Sequence, residues 1–288
     1  MRPAFIRYIA PAQERPQLWR LATGLAVCTA IYGLVAFAVF GAFALSADQG
    51  WTEEFLAAET PRALMAHLSV FLGMALGPMA AVLLLHRRRP GTLFGRAPIV
   101  LRDFTSAAAV TAAFVVATIA VSVVFLTAVP NRPVEVWLVT LPAALLLVAL
   151  QTGAEELLFR GYIQQQLAAR FRSPLIWAVI PSLAFGALHF DPVNAGANAW
   201  LVAGGAVVFG LAAADLTART GSLGAAWGFH FANNVVALLF FATDGPLSGL
   251  ALFRTPFSMD DPAVAIALTF DLIIIGAIWF VLRRLLAR

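Results

Sequence analysis

The chain has 288 residues, of which 61% are hydrophobic and only 12% charged, and its mean hydropathy is +0.86. Soluble domains run near half apolar and a quarter charged, so this composition excludes an ordinary water-soluble fold and points to lipid as the main solvent. The net charge of +4 comes from 19 basic residues, all arginines in short clusters between apolar runs, without the basic, aromatic-studded patch a nucleic-acid partner requires.

Arg2, Arg7, Arg15 and Arg20 precede a first apolar run at 21–45, which is too long for a cleaved signal peptide and reads as an uncleaved first span. Cys28 inside it, with no second cysteine to pair with, reads as a packing residue. The acidic, partly amphipathic stretch 51–66 suggests an interfacial segment. Further apolar runs follow at 66–85, 104–129, 136–159, 174–190, 199–216, 222–243 and 263–282. At a rise of about 1.5 Å per residue, roughly 20 residues cross a hydrocarbon core of about 30 Å. The sequence therefore predicts an all-α, polytopic membrane bundle of about eight transmembrane helices, forming one domain over 1–288. With a cytoplasmic N-terminus, sixteen of the nineteen arginines fall on the inner side and only Arg62, Arg132 and Arg254 outside, which predicts that both termini are cytoplasmic. No internal repeat of the kind many transporters carry is evident.

Ionisable groups within spans are costly and mark functional sites. Here they are Glu155, Glu156 and Arg160 on the fourth segment, His189 at the end of the fifth, His230 in the seventh, with Asn233 and Asn234, and Asp271 in the eighth. Residues four apart share a helix face, so Glu156 and Arg160 can pair, while Glu155 points about 100° away and lacks that partner. His230 and Asn234 also share a face, and Asn233 is nearly as well placed; spacing does not choose between the two asparagines. A desolvated carboxylate beside imidazoles makes a good general base, and an amide can donate to an oxyanion, so the set suits hydrolysis of an amide or ester. Each element also has a plain reading: a structural Glu156–Arg160 pair, an interfacial His189 beside Asp191, a helix-gluing His230–Asn234 face, and a structural Asp271. His67 and His86 border their spans and read as interfacial.

At these residues the sequence resembles the CAAX-protease and bacteriocin-processing (CPBP/Abi) family of intramembrane proteases, and is similar to type II CAAX prenyl endopeptidases. The motif EExxxR stands as Glu155-Glu156-Leu157-Leu158-Phe159-Arg160, FxxxH as Phe185 to His189, and HxxxN as His230 to Asn234, in the family's order and within about 136–243. The resemblance implies Glu155, His189, His230 and Asn234 as the catalytic set, with Glu156 and Arg160 positioning it, and so selects Asn234 over Asn233. It implies an endopeptidase that hydrolyses a peptide bond with a glutamate-activated water, acting on a peptide or membrane-anchored protein in a bacterial inner membrane. It leaves two readings of the cofactor open, a zinc ion on His189 and His230 or a metal-independent glutamate mechanism. A transporter or channel, or a non-catalytic immunity module of the same fold, are the rival functions. For Glu155 and His189 to meet, the fourth helix must continue through Gln164–Gln166 to Arg170, with the glutamines expected to line a wet cavity.

Overall fold

The computed structural model describes residues 1–46, 50–122 and 128–286. The stretch 123–127 of the third expected segment and Arg288 lie outside the described residues. An amphipathic helix α1 (Pro3–Gln13) buries Phe5, Tyr8, Ile9 and Ala12 and leaves Arg7 exposed. It is followed by α2 (Leu18–Leu45), a short α3 (Trp51–Ala57), α4 (Pro61–Leu84) and α5 (Ala97–Ser122). A two-residue strand β1 (Val129–Pro130) leads into the longest helix, α6 (Val134–Arg170). Then come α7 (Leu175–Ala187), α8 (Ala199–Thr220) and α9 (Gly224–Val235), which runs on into a π-helical turn, Val236–Phe240. Two strands, β2 (Phe241–Asp244) and β3 (Phe253–Ser258), precede α10 (Pro262–Leu285).

The architecture is a helical membrane bundle. Among the described residues, six helices are long and apolar enough to cross a bilayer, and α7 is a shorter apolar helix. Length and composition thus support six crossings, and the fifth and seventh of the eight expected segments are the short α7 and α9. Large apolar side chains such as Phe37, Val139 and Leu146 stand on the outer surface, as lipid-facing residues do. The sequence reading left no room for strands, yet β1 pairs antiparallel and β2 parallel with β3, a small three-stranded patch that closes one end of the bundle.

The two ends are built from different loops. At one, Tyr8 donates to the Leu93 carbonyl at 2.5 Å, Gln165 to Tyr8 O at 2.8 Å and the Leu223 amide to Phe94 O at 2.9 Å. At the other, Arg132 donates to Gly249 O at 3.0 Å and Asn198 to Met259 O at 2.9 Å. The first end collects the arginine-rich segments.

Two features position the centre. The helix α6 continues unbroken through Gln164–Gln166 to Arg170, as the meeting of Glu155 and His189 requires. It does so through a π-helical stretch, Leu157–Gln164, directly after the two glutamates. The helix α9 lies against α5 so closely that a Cβ at Gly224 or Gly228 would collide with the Val100 or Phe104 carbonyl oxygen. Small residues four apart allow such a backbone approach within a bilayer, and here it fixes the depth of His230.

Candidate active site

The residues singled out by sequence gather where α6, α7 and α9 meet. Glu155, Glu156, Arg160 and His230 are all buried, none more than 6% exposed. Glu156 Oε1 receives Arg160 Nη1 at 3.1 Å along the helix and lies 2.9 Å from His230 Nδ1 across to α9. Because a carboxylate oxygen accepts, Nδ1 is the donor there. The other imidazole nitrogen, Nε2, faces Glu155 Oε2 at 3.4 Å. The two adjacent glutamates therefore grip one imidazole from both sides, and Glu156 alone also holds the arginine.

One turn away, a second rung repeats the pattern. Gln151 and Glu155 are four apart on α6, and Asn234 and His230 four apart on α9. Asn234 Nδ2 donates to Gln151 Oε1 at 2.9 Å. Gln151 escaped the sequence reading; its only signal is a lone amide in an apolar run, one turn before Glu155.

His189 closes the third side. Its Nδ1 lies 2.8 Å from the Phe185 carbonyl oxygen, an acceptor, so Nδ1 carries the proton and Nε2 keeps a lone pair. Asp191 takes no part in holding it; it caps the next short helix, accepting from the Val193 and Asn194 amides at 3.1 and 3.2 Å. Phe185 packs on both imidazoles, with ring centroids 4.5 Å from His189 and 6.0 Å from His230. Its face also lies 4.7 Å from the Arg160 guanidinium, an aromatic bed for a buried cation.

A cavity of about 710 Å³ opens onto this cluster. Glu155, His189, Asn234 and Gln151 reach its wall, and the rest is largely apolar, from Tyr32, Phe37 and Phe40 of α2 to Leu64 and Leu68 of α4. His230 stands behind Glu155. Two expectations change here. His67, read as interfacial, lines this cavity and stacks on Phe55 at 4.4 Å. Gln164, Gln165 and Gln166 are instead sealed in and bonded to α8, α1 and His86. Asn233 and Asp271 face a different cavity of about 320 Å³, and Asn233 reaches back only to donate to Asn234 Oδ1 at 3.5 Å.

Among the described residues no group of three or more His, Cys, Asp and Glu side chains could hold a metal ion, and both nitrogens of His230 face carboxylates.

A polytopic helical bundle with a buried glutamate–imidazole–glutamate–arginine chain beside an apolar cavity is the class of protein that fold and site define. Residues 134–236 match the family of type II CAAX prenyl endopeptidase Rce1-like proteins, so the resemblance carried by the three motifs holds across the segment that builds the site. The chain is also 37% identical over 116 residues to the uncharacterized protein YyaK of Bacillus subtilis (strain 168), a match covering 40% of this chain and 38% of that protein. No solved structure matches.

Proposed function

We propose that the protein is an intramembrane endopeptidase in which Glu155 activates water for attack on a peptide bond. The observation that carries this reading is Glu155 itself, a buried carboxylate on the wall of a large apolar cavity, with Oε2 making no hydrogen bond and His230 behind it.

Glu156 holds both Arg160 and His230 Nδ1, which leaves Glu155, facing the cavity, free to act as base. Water beside Glu155 attacks the scissile carbonyl carbon as its proton passes to the carboxylate. The developing oxyanion receives the second N–H of Asn234, whose first is occupied by Gln151. The C–N bond then breaks, and Glu155 returns the proton to the leaving amine. His189 Nε2, an acceptor by virtue of its Nδ1–H bond, orients the water.

The apolar cavity walls suit a substrate that arrives through lipid, such as a membrane-anchored protein or peptide, and the family name points to a prenylated chain terminus. The arginine-rich end faces the cytoplasm of a bacterial inner membrane, with both termini there; reporter fusions after residue 130 and after residue 288 should read outside and inside. The function is tested by comparing membrane-derived peptides from cells carrying the active protein with those carrying Glu155→Ala. Products that appear only with the active protein are the expected result, and identical peptide sets would refute it. Turnover that survives a strong chelator is expected; loss restored by added zinc would assign His189 and His230 to a metal.

A further inference from the structure

At the arginine-rich end, between α1 and the loop before α5, lies a cavity of about 410 Å³ with a different chemistry. Arg7 of α1, and Arg89 and Arg96 of the loop between α4 and α5, stand around it, with Tyr8, Thr92 and Thr220 on its wall. The three arginines are exposed, and none of the ion pairs among the described residues involves them.

A second observation points the same way. Directly behind the wall, Arg88 is buried and donates through Nη1 to Thr92 Oγ1 at 2.9 Å and to Gln165 Oε1 at 2.5 Å. Its Nε and Nη2 are buried with no hydrogen-bond partner, and among the described residues no carboxylate pairs with it. Three guanidinium groups around one cavity, with a fourth desolvated and uncompensated behind its wall, make a strongly positive hollow. An anion with several acceptor oxygens would complete it, because arginine forks match phosphate geometry.

The flanks say which phosphate. The helix α1 turns an apolar edge, Ile6, outward beside Arg7, and Trp19 and Leu18 are exposed at the start of α2. Exposed tryptophan beside arginine at a helix end is the pattern of a headgroup-level belt, so the hollow opens where lipid headgroups lie. We propose that it binds the phosphodiester headgroup of an anionic membrane lipid, tying α1 and the α4–α5 loop to the bundle.

The test uses the full chain in nanodiscs of phosphatidylcholine with or without phosphatidylglycerol, with retained lipid read by native mass spectrometry and Tm by tryptophan fluorescence. A triple variant, Arg7→Gln, Arg89→Gln and Arg96→Gln, is compared with a control that removes the same charge from the same end, Arg2→Gln, Arg170→Gln and Arg172→Gln. All six positions are exposed, and an unchanged Tm in pure phosphatidylcholine verifies folding. The wild type and the control should retain phosphatidylglycerol and gain Tm from it, and the cavity variant should lose retention by at least about tenfold. Equal retention in both variants would overturn the site. So would the same Tm gain from inorganic phosphate without the anionic lipid, which would make the hollow a site for a soluble phosphate.

Discussion

The helix α6 carries two buried polar clusters, less than three turns apart, with opposite characters. Around Glu155 the groups are ionisable, gathered about one imidazole, and open to a cavity. Around Gln165 and Gln166 they are mostly neutral and sealed. There His86 is 2% exposed, its Nδ1 lies 3.1 Å from the Arg15 carbonyl, and its Nε2 lies 3.0 Å from the Tyr162 hydroxyl and 2.9 Å from Gln166 Nε2. Both clusters bury polar groups inside a largely apolar bundle. Burial by itself therefore does not mark a working site. What distinguishes the first is unspent hydrogen-bonding capacity facing a space large enough for a substrate.

The sharpest way to break this comparison is Glu155→Gln. The variant should lower turnover by about 10²–10⁴-fold, the range for removing a general base, with Tm nearly unchanged. Wild-type activity in that variant would sink the assignment. Glu156→Gln should do the reverse in kind: it strands Arg160 and releases His230 Nδ1, at a cost of roughly 3–5 kcal/mol if the pair is as buried as its exposure indicates. Chemical denaturation of the two variants side by side separates them, and equal losses of stability would show the two glutamates to be interchangeable.

Gln151→Leu should act more mildly. It removes the acceptor that orients Asn234, worth about 0.5–1.5 kcal/mol, so kcat should fall several-fold while KM holds. A KM effect of the same size would mean that Gln151 binds substrate instead.

The sealed cluster gives the smallest effect, in pH. Burial holds the His86 imidazole down at about 4, below its ordinary 6.5. Between those values the unfolded chain takes up a proton that the folded one refuses. The contribution of His86 is thus intact above pH 6.5 and lost as pH falls toward 4. Tm measured from pH 7 to pH 4.5 should decline less steeply in His86→Gln than in the wild type. Parallel slopes would show that the imidazole is protonated in the fold.

The first cluster was largely legible in the sequence, because spacing of four encodes a shared helix face. Glu156 with Arg160 and His230 with Asn234 needed only the geometry of one helix each. Gln151 was missed because a single amide in an apolar run carries no partner in its own sequence neighbourhood; its partner lies 83 residues away. The glutamine run was misread for the same reason. Whether Gln164–Gln166 meet water or protein depends on α8, α1 and His86 closing over them, and nothing local announces those contacts. The strands at the far end are likewise set by tertiary closure, each being only two to six residues long.

The π-helical stretch Leu157–Gln164 lies between the two clusters and carries a consequence for how the chain tolerates length changes. A wider turn holds an extra residue, and such turns often mark functional sites. Rewinding the stretch as ordinary helix with that residue kept would swing everything after it by about 100°. Glu155 and Glu156 would keep their bearing on His230, while Gln165 and Gln166 would rotate off Tyr8 and His86. The stretch works as a phase shifter on a single shaft, letting the catalytic and sealing sections be aligned independently, and losing one residue from it should be better tolerated than losing one from the ordinary helix on either side.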